Sequence, residues 1–270
     1  MKLQDKVVLV TAATRGIGQA VVTACAEEGA IVYLAARKED RARKAVEPLI
    51  SAGLRVRYVY NDANDPDSFT TMVEDVVAQE GRIDGLVNNF GTSDPTRDLD
   101  FIHTDPGVFL ATVTLNLRSV FLGSQAAARY MARQGGGSIV NISSVGGIVP
   151  DLSQVSYGTS KAAINYLTKL IAVQEAKNGI RCNAVLPGMT ATDAVEEKLT
   201  PTFRNRFLQH VPLGRMATPK EIADAVVYFV SDCSAYTTGQ ILTVSGGFGL
   251  ATPLYGDLCG ESNTRGSVQS

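Results

Sequence analysis

Residues 6–29, KVVLVTAATRGIGQAVVTACAEEG, decide the fold. The segment opens with a short apolar run over 6–12, which is typical of a buried strand. A helical pattern follows over 16–29 and ends at Gly29, a residue that suits a helix C-terminus. The segment therefore predicts a strand that turns tightly into a helix.

The same alternation of short apolar runs and amphipathic stretches continues along the chain. Strands are predicted at 6–12, 30–36, 54–60, 84–88, 137–142, 180–186 and 240–244. Helices are predicted at 16–29, 39–52, 66–80, 106–133, 154–178 and 219–232. The strands are apolar throughout, as in a parallel sheet covered by helices on both faces. We expect an α/β fold: a single doubly wound Rossmann-type domain over 1–259 with a parallel seven-stranded sheet, then a flexible tail over 260–270.

Composition narrows the function classes. The net charge of −2 gives no basic surface for nucleic acid or an anionic membrane. Four widely spaced cysteines without a CxxC pair, and only two histidines, predict no metal site and suit a reducing compartment. The N-terminus lacks the pattern of a secretory signal, and no segment approaches the roughly 20 apolar residues that span a bilayer. We therefore expect a cytoplasmic protein.

The turn after the first strand suits a phosphate group. A strand that turns into a helix presents free backbone N–H groups and the positive end of the helix dipole. Small residues let a pyrophosphate approach that backbone. The candidate contacts are Thr14, Arg15, Gly16, Ile17 and Gly18. Two glycines in such a turn can also serve packing alone.

The end of the second strand indicates which dinucleotide would bind. An acid about 20 residues past the glycines would bond a free ribose 2′-hydroxyl. This chain instead has Ala36, followed by Arg37 and Lys38, with Arg15 in the turn. Cations without a carboxylate suit a 2′-phosphate, which favours NADP(H) over NAD(H). The alternative is that Arg37 and Lys38 form a solvated strand end.

Tyr157 and Lys161 are four residues apart in a predicted helix and therefore share a face. A phenol has a pKa of about 10, and a nearby ammonium is expected to lower that pKa. Tyr157 could then exchange a proton with an alcohol or ketone oxygen while hydride moves to or from a nicotinamide. Ser144, at the end of a predicted strand, could donate a hydrogen bond to the same oxygen. The pattern predicts a catalytic centre of Ser144, Tyr157 and Lys161.

Taken together, these motifs make the chain resemble a classical short-chain dehydrogenase/reductase from about residue 5 to 250. The family's glycine turn corresponds to Thr11–Gly18, its NNAG element to Asn88–Gly91, and its PGxxxT stretch to Pro187–Thr192. The catalytic serine of the family falls on Ser144, because that residue lies thirteen positions before Tyr157. The catalytic asparagine falls on Asn116.

The resemblance implies further roles. Lys161 would hold the nicotinamide ribose, and Asn116 would order a water that relays protons from Lys161. Other cofactor contacts would be Asp62 near the adenine, Ala63, Asn89 near the ribose, Tyr157, Thr190 and Thr192, with Ile17 and Val185 lining the pocket. Family members also commonly form homotetramers through the helices predicted here at 106–133 and 154–178, plus the C-terminal strand.

The chain departs from the family pattern at two positions. Ala12 replaces the first glycine of the turn, which is tolerated if its φ is negative. Phe90 replaces the alanine of NNAG. Phe90 is interpreted either as ordinary packing or as a wall against a bulky apolar substrate.

Within the family, the chain resembles bacterial hydroxysteroid dehydrogenases that act on bile acids. The residues that carry this likeness are 13–18 (ATRGIG), 88–91 (NNFG) and 246–253, with Gly246-Gly247-Phe248 and Thr252-Pro253. A steroid needs a long apolar trough, to which the segment 190–213 could contribute a lid. Its Val195, Leu199, Phe203 and Phe207 recur every four residues, and Arg204 and Arg206 could meet a carboxylate. The stripe could equally be a packed surface helix.

The substrate position stays open at this point, with an α-hydroxyl at carbon 7 or 12 favoured. One alternative is a 3-oxoacyl-carrier-protein reductase, for which Arg129 and Arg133 would form a docking patch beside the cleft. Another is a non-catalytic NADP-binding regulator. Such a regulator would need neither Ser144 nor Tyr157, so the presence of both argues against it.

Overall fold

The computed structural model describes residues 1–197, 199–252 and 254–259, without the side chain of Ala194. The predicted tail at 260–270 and Pro253 lie outside the described residues. The strands are β1 (Val7–Thr11), β2 (Ile31–Ala36), β3 (Val56–Tyr60), β4 (Gly85–Asn88), β5 (Gly137–Ile142), β6 (Ile180–Pro187) and β7 (Ile241–Val244). The helices are α1 (Gly16–Glu27), α2 (Glu39–Ser51), α3 (Ser68–Glu80), α4 (Pro106–Gln134), α5 (Val155–Glu175), α6 (Asp193–Glu196), α7 (Pro201–Gln209) and α8 (Pro219–Val230).

The seven strands form one parallel sheet in the order β3-β2-β1-β4-β5-β6-β7. This confirms the predicted Rossmann-type fold. The chain runs outward from β1 to β3, then returns to the centre and pairs β4 with the other side of β1. A crevice opens above the carboxyl ends of strands where the order reverses in this way, so ligands are expected above β1 and β4.

Two hydrophobic cores hold the helices onto the sheet. Along β1, Val8 and Val10 belong to the core that includes residues of α1, α2 and α8. Val7 and Leu9 point the other way, into the core that includes residues of α3 and α4. All five residues of β1 are buried, because side chains on both faces of a central strand are covered. The continuous apolar run at 7–10 in the sequence follows from this double burial.

The helix that carries Tyr157 begins differently from its neighbours. Helix α4 has Asp105 as its N-cap and Pro106 as its first residue, and α8 has a complete capping box from Thr218 and Glu221. Helix α5 follows Gln154, which is left-handed (φ 60°, ψ 46°) and makes no side-chain cap bond. The first N–H groups of α5 therefore need acceptors from elsewhere in the fold.

Helix α4 corrects the expectation that no segment could span a membrane. By length and composition alone it is the one candidate among the described residues, and 33% of its most apolar window is buried. Those two criteria do not distinguish a membrane span from a long helix that packs on a sheet. Here α4 packs against α3, α5 and β4.

The predicted apolar stripe of the lid does not lie on one helix. Val195 is in the four-residue α6, Leu199 is in the connection, and Phe203 and Phe207 are in α7. Pro201 is the first residue of α7, and Thr200 caps that helix by accepting from the backbone N–H of Phe203 at 3.2 Å. A capping threonine followed by proline begins a new helix, so a spacing of four residues does not continue across it.

The backbone at Ala12 contradicts the expected negative φ. Ala12 directly follows β1 and has φ +52°, in the left-handed region. This conformation costs a residue with a Cβ about 1–2 kcal/mol. The tight packing of the turn therefore imposes strain on the alanine that replaces the family's glycine.

Replacing Ala12 with glycine should stabilise the protein. Relief of the left-handed strain is offset by roughly 0.5–1 kcal/mol from the greater freedom of glycine in the unfolded chain, which leaves a small net gain. The matched control is Ala13→Gly, because Ala13 is buried and does not have a positive φ. In urea unfolding, we expect a higher midpoint for Ala12→Gly and a lower one for Ala13→Gly. Equal losses in both variants would contradict the strain at Ala12.

Candidate active site

A cavity of about 640 Å³ lies at the carboxyl ends of β1, β2 and β4, where the strand order predicts a ligand. It brings together eleven of the predicted cofactor contacts: Thr14, Arg15, Gly16, Ile17, Gly18, Arg37, Lys38, Asp62, Ala63, Asn89 and Thr192. Phe90, predicted as a substrate contact, also lines it, together with residues that were not predicted as contacts: Ala12, Ala36, Arg41, Asn61, Asn64, Gly91, Thr92, Leu115 and Asp193.

The first turn of α1 is open toward this cavity. Its N-cap, Arg15, makes no side-chain cap bond, and the first turn contains no acidic residue. A Cβ at Gly18 would lie 2.5 Å from Nδ2 of Asn89 and 2.9 Å from the carbonyl oxygen of Ala12. Glycine is therefore needed for the turn to pack against the end of β4, where Asn89 Nδ2 donates to that same carbonyl at 3.0 Å. The geometry leaves a helix N-terminus able to hold a phosphate.

The rim of this cavity is rich in cations. Arg15, Arg37 and Lys38 all line it, as predicted from the sequence, and Arg41 adds a fourth. Arg41 was missed; it lies in the first turn of α2, which begins two residues after Arg37. Asp62 lies opposite, with its Oδ2 4.0 Å from Nε of Arg37. The residues present fit a bound dinucleotide that carries phosphate groups.

Ser144 and Tyr157 meet at a second cavity. Ser144 is the second residue after β5, and its Oγ accepts from the backbone N–H of Gly146 at 3.1 Å. Both residues line the cavity. Burial raises the pKa of Tyr157, and a hydrogen bond with Ser144 partly opposes that rise. The net change in the Tyr157 pKa is therefore upward, opposite to the lowering that we expected, because burial outweighs the hydrogen bond with Ser144.

Lys161 is buried beside Tyr157, as predicted. Its Nζ donates to the carbonyl oxygen of Ile142 at 2.9 Å and lies 5.5 Å from the centre of the Tyr157 ring. Burial lowers the pKa of Lys161 to about 8, so its ammonium group loses its proton at a lower pH than that of an exposed lysine. A Cβ at Gly91 would lie 2.9 Å from Nζ, and Gly91 lines the first cavity. Lys161 therefore lies at the boundary of the two cavities.

The side chain of Asn116 forms hydrogen bonds with other residues of the protein. It accepts from the backbone N–H of Thr92 at 2.9 Å and donates to the carbonyl of Thr92 and to Oγ of Ser160, each at 3.0 Å. Both of its donors are thereby occupied. The side chain fixes a loop to α5, and the expected role in ordering a water gains no support from these contacts.

The second cavity has a volume of about 720 Å³ and aromatic walls. Phe207 stacks on Phe203 with ring centres 6.4 Å apart and on Phe248 at 4.7 Å. The other large apolar lining residues are Leu99, Phe101, Ile148, Val149, Leu152 and Val155. The cavity thus combines an apolar enclosure with two hydroxyl groups at one place, as expected of a site for a largely apolar ligand.

Several predicted residues lie elsewhere. Phe90 lines the first cavity instead of the second. Arg204 and Arg206 line neither cavity, whereas His210 lines the second. Both arginines are exposed on α7, whose Phe203 and Phe207 face the cavity.

Two further contacts expected from the resemblance are buried away from the first cavity. Thr190 is buried and donates to the carbonyl of Gly188 at 3.1 Å. Val185 belongs to the hydrophobic core. Neither side chain lines the cavity that holds the other predicted contacts.

Arg129 and Arg133 do not lie beside a cleft entrance. They are in the last turns of α4, which leads into the start of β5, at the sheet edge opposite the carboxyl ends. Arg129 bonds Gln125, and Arg133 lies over the ring of Tyr130. A docking patch at this place could not reach either cavity. In the part of the chain that the structure describes, no group of three His, Cys, Asp or Glu side chains could hold a metal.

A dinucleotide-type crevice beside a Ser–Tyr–Lys centre defines a class of nicotinamide-dependent oxidoreductases. Comparison with known proteins agrees: a family model described as enoyl-(acyl carrier protein) reductase matches residues 11–249. The chain belongs to the short-chain dehydrogenase/reductase family, which confirms the resemblance read from its motifs.

Two bacterial relatives within that family share one name. The 7α-hydroxysteroid dehydrogenase of Clostridium sardiniense is 48% identical over 258 residues, which cover 96% of this chain and 98% of the relative. The enzyme of the same name from Paraclostridium sordellii is 47% identical over 261 residues, with the same two coverages. A solved 7α-hydroxysteroid dehydrogenase complexed with NADH and 7-oxo glycochenodeoxycholic acid superposes with a TM-score of 0.87 at 31% identity, covering 92% of this chain and 95% of that one.

Proposed function

We propose that this protein is an NADP(H)-dependent 7α-hydroxysteroid dehydrogenase that acts on bile acids. The observation that carries the proposal is the second cavity, whose aromatic and aliphatic walls enclose about 720 Å³ beside Ser144 and Tyr157. A rigid apolar skeleton could fill this volume while one hydroxyl meets the two side chains. The names of the two bacterial relatives favour carbon 7 over carbon 12.

In the proposed reaction, a secondary alcohol and a ketone interconvert. The residues that line the first cavity would hold a nicotinamide cofactor, which would supply the hydride chemistry of both directions. Tyr157 accepts the alcohol proton during oxidation and returns it to the ketone oxygen during reduction. Ser144 donates a hydrogen bond to the same oxygen, and the buried ammonium of Lys161 favours the charged form of the phenol.

The raised pKa of Tyr157 gives the two directions different pH dependences. The phenol stays protonated through neutral pH, so it is ready to act as the acid in ketone reduction. Alcohol oxidation needs the deprotonated phenol, which becomes more abundant as pH rises. Lys161, with a pKa of about 8, also loses its charge in the alkaline range, which limits how far its stabilisation of the phenolate extends.

Two alternatives are weaker. A 3-oxoacyl-carrier-protein reductase was expected to have a basic patch beside the cleft, but Arg129 and Arg133 lie at the other end of the sheet. A non-catalytic regulator would not need a buried lysine behind a tyrosine, because burying Lys161 costs free energy.

For the cofactor, we propose NADP(H) over NAD(H) on the basis of Arg15, Arg37, Lys38 and Arg41 at the rim of the first cavity. The solved relative was complexed with NADH, so the proposal rests on these four side chains and not on that relative. We also propose a cytoplasmic location, because the four cysteines are widely spaced and form no CxxC pair, which suits a reducing compartment.

We further propose that the protein forms a homotetramer through α4 and α5. These helices leave large apolar side chains in contact with solvent in the single chain: Leu110, Phe121, Tyr166, Leu170 and Val173. Val173 alone is 79% exposed. A second copy of the same chain would cover them, because apolar side chains gathered on exposed faces are typical of an interface.

A substrate panel tests the function. Purified protein with NADP⁺ should oxidise cholate and chenodeoxycholate, which carry a 7α-hydroxyl, and leave deoxycholate, which lacks one, unchanged. Absorbance of the reduced cofactor reports turnover. Oxidation of cholate and deoxycholate, with chenodeoxycholate unchanged, would show that the enzyme acts on carbon 12 instead. Turnover of a 3-oxoacyl thioester with none of the three steroids would overturn the proposal.

Tyr157→Phe tests the mechanism. Turnover should fall by about 10²–10⁴-fold in both directions, because the proton has no acceptor or donor, while NADPH binding followed by fluorescence stays within about twofold. In the unmodified protein, kcat/KM for oxidation should rise with pH, and kcat/KM for ketone reduction should stay level through neutral pH. Undiminished turnover in the variant would remove Tyr157 from its role.

Arg37→Ala tests the cofactor preference. Loss of a charged bond to a 2′-phosphate is worth roughly 1.5–3 kcal/mol, so the KM for NADP⁺ should rise about 10- to 100-fold while that for NAD⁺ changes little. Arg43→Ala is the matched control: Arg43 lies six residues further along the chain, on the surface of α2, where it pairs with Glu39 and does not line the cavity. Equal effects of Arg37→Ala on both cofactors would contradict the preference.

A further inference from the structure

The start of α5 is held by a side chain that is remote in sequence. Asp98 lies in the connection between β4 and α4, and it is fully buried. Its Oδ1 accepts from the backbone N–H of Ser156 at 2.9 Å and from Oγ of Ser156 at 2.7 Å. Its Oδ2 accepts from the backbone N–H of Tyr157 at 3.0 Å. One carboxyl group thus takes three donors in the first turn of the helix that carries Tyr157.

The backbone beside Asp98 completes the contact. Gln154 donates its N–H to the carbonyl of Asp98 at 3.2 Å, and Val155 donates its N–H to the carbonyl of Leu99 at 3.3 Å. The first three N–H groups of α5, from Val155 to Tyr157, therefore all reach residues 98–99. The first N–H groups of a helix have no acceptor within the helix, and the side chain of the N-cap residue Gln154 does not accept from any of them.

Other contacts hold the same loop to α5. Oγ of Ser93 donates to Oε1 of Gln154 at 2.8 Å. Asn116 bonds the backbone of Thr92 and Oγ of Ser160, and that hydroxyl in turn donates to the carbonyl of Tyr157 at 2.7 Å. The backbone of Tyr157 is thereby bonded on its N–H side by Asp98 and on its carbonyl side through Ser160.

We propose that Asp98 is a positioning residue for Tyr157, which sets the distance of the tyrosine hydroxyl from Ser144 by fixing the first turn of α5. The inference rests on the proposed function, in which Tyr157 exchanges the proton. A carboxylate at a helix N-terminus also gains from the helix dipole, which suits this residue type to the place. Small displacements matter here, because a shift of about 1 Å in a reacting group can cost on the order of 10²-fold in rate.

Asp98→Asn is the most discriminating variant. Asparagine has nearly the same shape, and its oxygen can still accept from Ser156, but its NH₂ group would face the N–H of Tyr157 and lose that bond. We expect kcat for alcohol oxidation to fall by about tenfold or more, with the KM for NADP⁺ within twofold. Because the Ser144 bond opposes the burial-induced rise in the Tyr157 pKa, the pH dependence of oxidation should move to higher pH as that bond is weakened.

The matched control is Asp105→Asn. Asp105 caps α4 by accepting from the backbone N–H groups of Gly107 and Val108 at 2.8 and 3.2 Å, and it lines neither cavity. Because asparagine keeps the single oxygen that accepts both bonds, this variant should change the thermal midpoint little and leave kcat, KM and the pH profile unchanged. If Asp98→Asn behaves in the same way, Asp98 is a structural cap only and the proposal is overturned.

Two further measurements keep the test decisive. If Asp98→Asn does not fold, Ser156→Ala removes one of the three donors to Asp98, and it should shift kcat and the pH profile in the same direction by a smaller amount. Unchanged kinetics in a folded Ser156→Ala would then overturn the proposal. Tyr157→Phe distinguishes failure of the proposed function from failure of this inference. Full turnover in Tyr157→Phe would overturn the proposed function. Lost turnover in Tyr157→Phe, together with unchanged kinetics in Asp98→Asn, would overturn only the role of Asp98.

Discussion

The contact between the ends of β1 and β4 is the constraint on which the rest of the site depends. The hydroxyl of Thr11 accepts the backbone N–H groups of Asn89 and Phe90 at 3.0 and 3.3 Å. Asn89 in turn bonds the carbonyl of Ala12. These bonds hold the two strand ends together where the strand order reverses. The first cavity therefore has a fixed floor, and the left-handed backbone at Ala12 is the cost of that closure.

The fold was predictable because its strands are buried on both faces. Apolar runs such as 7–10 have no polar alternation, and that pattern belongs to a covered parallel sheet. The lid was predicted poorly, because a sequence spacing does not show where one helix ends and the next begins. A spacing of four residues from Val195 to Phe207 looks like one helical face, but Thr200 and Pro201 end one helix and start another.

The candidate site was predictable where its chemistry follows the local spacing. Tyr157 and Lys161 are one helical turn apart, so their proximity can be read from the chain. Asp98 could not be found in this way, because it is 58 residues from Ser156 and only the tertiary fold brings the two together. The rise in the Tyr157 pKa could not be predicted from the sequence either, because it depends on how deeply the fold buries the phenol.

The loop from Thr92 to Asp100 joins the two cavities to the helix of the catalytic centre. Thr92 lines the first cavity, Leu99 and Asp100 line the second, and Asp98 between them accepts the first donors of α5. A molecule in either cavity therefore contacts the same short segment that holds Tyr157. A cap supplied locally by residue 154 could satisfy the same N–H groups, but it would leave α5 unconnected to this loop. A cap from the loop ties the position of Tyr157 to the walls of both cavities, and in the proposed reaction cofactor and substrate would occupy those cavities together.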